Sequence, residues 1–459
     1  MLFSSVANRI ASSLHSTIRQ NARPRQTWRM LTRGRMRHYW HHGAAWLLGS
    51  LLIGLAATGF AYGAEWANNL NKLLLSKTPI AALLVMPAGF ALCAYLGRRY
   101  FAGTQGSGIP QTIAAIDILD SAKKSDLLSL RIVFGKIMLS LGGLAVGASI
   151  GREGPTVQVG ASIMHAFYSR GPFRNVGSRR ALILAGGAAG IAAAFNTPLA
   201  GIMFAVEELS KKHVFNANSS VLVTVIVSGL IPLSLLGNYT YFGSTGAFLD
   251  WQFSVPVILA CGLTGGIAGG IFSRLLLSSS FILPSRLAEY AKHRPVVFAA
   301  ACGLFVAAIG VCTNGMVFGT GYQPTRLTLE DSNVLPWYFG IAKMAATLLS
   351  SMSGIPGGIF APSLAVGAGL GDNIAALLPS IAPHSAIILL SMAAYLAGVT
   401  RAPVTSFIIM MEMTDSHHML LPLMTVTLVA SGISKLISPT PLYHALSERF
   451  LPPTPGKNT

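Results

Sequence analysis

Charge is what this 459-residue chain has least of. Asp, Glu, Lys and Arg together make 10% of it, well short of the quarter or so usual for a soluble domain. Residues 78–97, 181–206, 344–371 and 373–400 hold no charged side chain at all. Each is long enough to cross a hydrocarbon core, which needs roughly 20 helical residues. With 52% hydrophobic residues and a mean hydropathy of +0.58, the composition excludes a soluble globular domain and predicts an integral membrane protein. Cysteine is also sparse. Cys93, Cys261, Cys302 and Cys312 all lie in apolar segments without CxxC spacing, so they read as small core residues, with no disulfide, metal site or cofactor expected.

Acids are scarcer than bases, 15 against 33, for a net charge of +18. Nucleic acid is not the partner this implies, because the basic residues flank apolar runs and are not interleaved with aromatics. Residues 1–43 carry Arg9, Arg19, Arg23, Arg25, Arg29, Arg33, Arg35 and Arg37 without one acid. The positive-inside rule then predicts a cytoplasmic amino terminus. A mitochondrial transit peptide has a similar composition. A cleaved secretory signal fits less well, since the basic region is too long and the first apolar run too extended.

Against this background Glu153 stands out. It lies in Gly151-Arg152-Glu153-Gly154-Pro155, between a segment 132–151 whose only charge is Lys136 and a segment 154–169 with none. An acid at membrane depth marks proton or ion handling. Two further stretches share the pattern of glycine-rich backbone leading into a proline-started helix: Gly106-Ser107-Gly108-Ile109-Pro110, and Gly354-Ile355-Pro356-Gly357-Gly358-Ile359-Phe360-Ala361-Pro362. Helix N-termini present unpaired N–H groups and partial positive charge, which suits an anion, and the Ser107 hydroxyl adds a donor. Singly, such motifs are better explained by kinks or close helix packing. Three in one chain favour convergence on a dehydrated anion.

An internal repeat organises the sequence. Pro155–Ser162 aligns with Pro362–Gly369 at an offset of 207, and Ala188–Glu207 aligns with Ala393–Glu412 at an offset of 205. Two related halves follow, 44–240 and 250–451, with a basic segment 1–43 before them and a short tail 452–459 after. Transporter halves of this kind often have inverted topology, with the binding site at their interface. Glu207 recurs as Glu412 and suits a structural role, accepting backbone hydrogen bonds at helix ends. Glu153 is matched by Phe360, and Glu208 by Met413. The unduplicated acids are the functional candidates.

These motifs, in this order, resemble the CLC family of chloride channels and chloride/proton antiporters, over nearly the whole chain after residue 44. The resemblance rests on the three glycine motifs, the Glu207-Glu208 pair after Pro198, and Pro441-Leu442-Tyr443. It implies an all-α integral membrane protein of two inverted-topology repeats built from broken and tilted helices. It further implies a homodimer with one pore per subunit, seated in lipid of the bacterial inner membrane. Ser107 and Tyr443 match the hydroxyls that hold the central chloride, together with the backbone N–H groups of Ile359 and Phe360. Glu153 matches the gating glutamate, which occupies an outer anion site when ionised and leaves it when protonated. Glu208 matches the inner proton-transfer glutamate that antiporters of the family tend to keep and channels replace. Chloride/proton exchange is therefore expected, with a passive chloride channel on the same fold as the alternative.

Gly106, Gly108, Pro110, Gly151, Arg152, Gly154, Pro155, Gly357 and Gly358 are expected to support the site. Lys136 is expected to add positive potential, or else to form an ion pair or snorkel. Gln111 departs from the carboxylate that many members place after the first motif, which bears on the charge near the inner pore. The 16 residues after Tyr443 leave no room for the paired CBS domains of eukaryotic relatives, so a bacterial type is expected. A rival from another class is an intramembrane serine hydrolase. Gly147-Ala148-Ser149 and Gly160-Ala161-Ser162 faintly resemble nucleophile turns, and His165 lies near the second, but the following glycine is missing.

Overall fold

The computed structural model describes residues 22–77, 79–118, 120–169, 178–210, 219–237, 242–243, 246–249, 254–278, 285–331, 335–378 and 381–451. Most of the expected basic segment, and the tail 452–459, lie outside the described residues or are described in backbone only. Among the described residues the regular structure is helical, with one isolated antiparallel bridge between Gly151 and Gly358. In the first half the α-helices are α1 (Ala22–Lys77), α2 (Ala82–Arg99), α3 (Ile109–Asp117), α4 (Ser121–Leu127), α5 (Leu130–Ala145), α6 (Glu153–Ser169), α7 (Arg179–Phe195), α8 (Pro198–Phe204) and α9 (Ser219–Leu236). In the second they are α10 (Ser254–Leu277), α11 (Ser285–His293), α12 (Pro295–Cys312), α13 (Tyr322–Asp331), α14 (Phe339–Met352), α15 (Phe360–Leu377), α16 (His384–Thr400), α17 (Pro403–Thr414), α18 (Leu420–Ile437) and α19 (Leu442–Ser447).

The uncharged windows do not each form one span. Residues 181–206 break at Asn196, which takes the left-handed conformation (φ 58°) and ends α7 before Pro198 starts α8. Residues 344–371 break between α14 and α15, around Gly354 at φ 76°. Residues 373–400 break between Leu377 and His384. Lack of charge reports an apolar setting, whereas helix continuity is decided by Asn, Gly and Pro. Among the described residues, five helical stretches are long and apolar enough to cross a membrane: Gly43–Leu74, Lys123–Ala145, Val255–Leu277, Pro295–Cys312 and His417–Ile437. Large apolar side chains such as Leu84, Phe134, Leu377 and Leu436 are exposed on the outside, as lipid contact requires and water would penalise. Cys93, Cys261 and Cys302 are buried free thiols, but Cys312, at the end of α12, is exposed.

Small residues let the helices approach closely. A Cβ on Gly160 of α6 would lie 2.2 Å from the Gly186 carbonyl of α7, so only glycine fits that crossing. In the second half a Cβ on Gly367 of α15 would lie 2.5 Å from the Met392 Cα of α16. The two crossings sit at corresponding positions of the repeat.

The correspondence goes further than the aligned stretches. Lys136 on α5 is fully buried and donates to the carbonyls of Thr104 (2.8 Å) and Gly106 (2.7 Å). Lys343 on α14, at the same offset of 207, is fully buried and donates to the carbonyls of Val317 (2.8 Å) and Gly319 (2.7 Å). The gripped loops match as well. Gly106 and Gly108 have φ of 66° and 99°, and Gly319 and Gly321 have φ of 64° and 81°. Thr112 and Thr325 each return a hydroxyl to the second glycine's carbonyl, at 3.0 and 2.9 Å. Asn196 and Arg401, the left-handed caps of α7 and α16, have φ of 58° and 60°.

Glu207 and Glu412 close the arrangement reciprocally. Glu207 accepts from the N–H groups of Val404 (3.1 Å) and Thr405 (2.7 Å) at the start of α17, while Glu412 accepts from Leu199 (3.1 Å) and Ala200 (2.7 Å) at the start of α8. Each acid thus satisfies first-turn donors of the other half's helix.

Candidate functional site

The three glycine motifs meet through backbone hydrogen bonds. Gly151 N donates to Gly358 O, and Gly358 N to Gly151 O, both at 2.7 Å. These glycines are repeat equivalents, so the bridge pairs one half with the matching residue of the other. Gly106 N donates to Ile355 O at 3.3 Å, and Gly357 N to Gly106 O at 3.1 Å, which draws the first motif onto the third. The N-termini of α3, α6 and α15 therefore gather at one place inside the protein. Their first-turn N–H groups lack intrahelical acceptors, so the place is electropositive without needing a lysine in it.

Glycine is required by the closeness of these contacts. A Cβ on Gly154 would lie 2.4 Å from Ser107 Oγ and 3.2 Å from the Gly358 Cα. One on Gly151 would lie 2.3 Å from Glu153 Oε2 and 3.1 Å from the Pro362 Cδ. The Glu153 side chain is fully buried, with its carboxylate resting on the bare Cα of Gly151 beside the start of α15.

Tyr443 reaches the same region from α19. Its ring stacks on Phe360, with centroids 6.0 Å apart and planes 9° apart, while Phe195 and Phe204 close on Phe360 at 6.1 Å. The hydroxyls of Ser107 and Tyr443 are within electrostatic reach of each other but not in normal hydrogen-bond geometry. Both oxygens are shielded, and neither has a hydrogen-bond partner among the described residues. Two buried hydroxyls next to free helix N-termini fit an anion, since such donors are costly to bury unsatisfied.

Among the described residues Lys136 neither pairs with an acid nor snorkels; its ammonium holds the Thr104–Gly106 loop that carries Ser107 into place. Gln111 helps, donating to Gln105 O, and Gln158 donates to Gly103 O (2.9 Å) and Leu127 O (3.0 Å). Arg152 is 7% exposed and lines a cavity of about 460 Å³ together with Asn68, Lys72, Phe318, Thr320 and Gln323.

Glu208 lies apart from these, in a π-helical turn spanning Ala205–Leu209 that follows α8. It is 1% exposed, and Tyr443 is within electrostatic reach of both Glu208 and Glu153. Beside it stands His444, whose Nε2 is 3.0 Å from the Glu208 carbonyl oxygen. Among the described residues Ser149 and Ser162 form no hydrolytic dyad. Ser149 Oγ bonds Thr347 at 2.9 Å, and neither Ser162 nor His165 has a side-chain hydrogen-bond partner among the described residues.

Sequence reasoning missed Lys343, Phe195, Phe204 and His444. Lys343 was visible at the repeat offset. The two phenylalanines and the histidine carry no local signal, because only the fold brings them to Phe360 and Glu208.

A multi-pass helical membrane protein with a buried, electropositive pocket faced by an acid belongs to the ion transporters rather than the enzymes. A profile of the voltage gated chloride channel family matches residues 88–435, and the chain belongs to that family. It is 30% identical over 421 residues to the H(+)/Cl(-) exchange transporter ClcA of Citrobacter koseri, covering 87% of this chain and 86% of that one. ClcA of Yersinia pseudotuberculosis is 28% identical over 428 residues, with the same coverage. Among solved structures, a slow cyanobacterial Cl-/H+ antiporter superposes with a TM-score of 0.74 at 25% identity, covering 89% of this chain and 97% of that one. A CLC-type fluoride/proton antiporter shares the fold, with a TM-score of 0.72 at 23% identity, over 87% of this chain and 97% of that one.

Proposed function

We propose that this chain is a chloride/proton antiporter in which Glu153 and a chloride ion compete for one pocket. Chloride is held by the Ser107 and Tyr443 hydroxyls and by the N–H groups of Ile359 and Phe360. An ionised Glu153 takes the outer part of the same electropositive space. A protonated Glu153 has no such attraction and swings away, so proton uptake and chloride admission are linked events. Glu208 exchanges protons with Glu153 by a route separate from the anion's, past Tyr443. The halves 44–240 and 250–451 act as inverted repeats around the site, in a homodimer of the bacterial inner membrane with the amino terminus cytoplasmic.

The observation that carries this reading is the convergence of three helix N-termini on two shielded hydroxyls, with a buried glutamate at the edge. A passive channel needs the pocket but not Glu208. The test is purified protein in liposomes under a chloride gradient, recording chloride and pH together. Antiport predicts protons driven uphill, opposite to chloride. Chloride flux with pH unchanged would leave the passive channel.

A further inference from the structure

We propose that His444 is a proton-relay residue that serves Glu208, which rests on the reading of Glu208 as a proton-transfer group. The imidazole Nε2 lies 3.0 Å from the Glu208 carbonyl oxygen and 3.9 Å from its Oε1. A carbonyl can only accept, so Nε2 carries the hydrogen. That one N–H lies between a backbone oxygen and the carboxylate, and a small ring rotation moves it from the first to the second. The His444 side chain is 11% exposed and that of Glu208 is 1% exposed. The ring thus lies between the protein exterior and a carboxylate that is itself almost fully enclosed.

The backbone that carries the ring is held from both directions. Arg401, the cap of α16, donates to the carbonyls of Ser438 and Pro439 and ties down the approach to α19. Ser447 donates to the His444 carbonyl at 2.8 Å. The charged groups on the elements around α19 are Asp117 at the end of α3, Arg274 on α10, Arg401, and Glu448 and Arg449 in the turn that follows, besides Glu208 itself. Arg401 lies within electrostatic reach of Glu208.

The step balances in protons alone. A hydronium ion of the aqueous phase gives its proton to Nδ1, leaving water and an imidazolium, and the Nε2 proton passes to Oε1 of an ionised Glu208. The N–H bond breaks as the O–H bond forms. The neutral ring is left with hydrogen on Nδ1 and resets by flipping or by exchange with water. An imidazole suits the task because its ordinary pKa lies near neutrality. The plainer role, a donor that merely caps the Glu208 carbonyl, needs no titration.

The experiment compares wild type, His444→Gln and Glu208→Gln in liposomes, with chloride and proton flux measured on the same sample. In His444→Gln the protons moved per chloride should fall at least about tenfold, a threshold set below the roughly hundredfold or more that a positioned general acid contributes, while chloride flux persists and reports an intact fold. The dependence of proton flux on pH at the Glu208 side should flatten across about pH 5.5–7.5. Imidazole added on that side to His444→Ala should restore coupled proton flux. A wild-type ratio and pH profile in His444→Gln, with coupling lost in Glu208→Gln, would overturn the relay and leave Glu208 standing. Wild-type coupling in both variants would overturn both assignments. Loss of both fluxes in His444→Gln and in His444→Asn would assign the residue to structure and also overturn the relay.

Discussion

The two halves of the molecule use one set of parts for different ends. Lys136 and Lys343 grip matching loops, Glu207 and Glu412 cap each other's helices, and Gly151 and Gly358 pair across the centre. Yet Phe360 stands where the first half has Glu153, and Met413 where it has Glu208. The duplicated charges thus serve architecture: Lys136 and Lys343 are buried, Glu207 and Glu412 half-buried, and each of the four bonds backbone. The unduplicated acids have no architectural counterpart, which separates chemistry from scaffold more sharply than burial does. The first glycine loop also closes onto Ile355 and Gly357, whereas among the described residues no backbone bond joins Gly319 to residues 148–150. Thr320, the mate of Ser107, faces the cavity beside Arg152 instead.

The comparison is most directly strained by Lys136→Met and Lys343→Met. Each leaves two carbonyls without their donor, at about 1–3 kcal/mol apiece, so both should lower stability by about 2–6 kcal/mol in thermal unfolding of the detergent-solubilised protein. The losses should match within about 1 kcal/mol. Only Lys136→Met should also weaken chloride binding, because its loop carries Ser107.

Gly154→Ala tests the site itself. The new Cβ takes the room of the Ser107 hydroxyl, and apparent chloride affinity, from calorimetric titration, should fall by about tenfold or more, about 1.4 kcal/mol. The mate of Gly154 is Ala361, where the second half already holds a methyl group. Ala361→Gly should cost only about 0.5–1 kcal/mol of stability.

Glu207→Gln and Glu412→Gln should disturb transport least. Each keeps one acceptor and loses the charge, for about 1 kcal/mol of stability. The proton-to-chloride ratio should be unchanged in both. A change of ratio in Glu207→Gln alone would show that this acid, too, does transport chemistry.

Much of this was legible before any coordinates. The glycine motifs announced helix starts, and the repeat distinguished Glu207 from Glu208 because one acid recurred and its neighbour did not. The mate of the first glycine motif was hidden, since Gly319-Thr320-Gly321 lies at an offset of 213 rather than 207 and shares little beyond its glycines and Thr325. The uncharged windows are each long enough to cross a membrane, yet three of them break, at Asn196, around Gly354 and between Leu377 and His384. The partnership of His444 with Glu208 crosses 236 residues of sequence, and no local pattern encodes it.

The most direct test of the competition between a carboxylate and chloride is the paired flux of Glu153→Ala in liposomes under an opposing proton gradient. Chloride should continue to move while uphill proton movement disappears, because the pocket survives without its titratable occupant. Protons still driven uphill by chloride in this variant would show that another group couples the two ions.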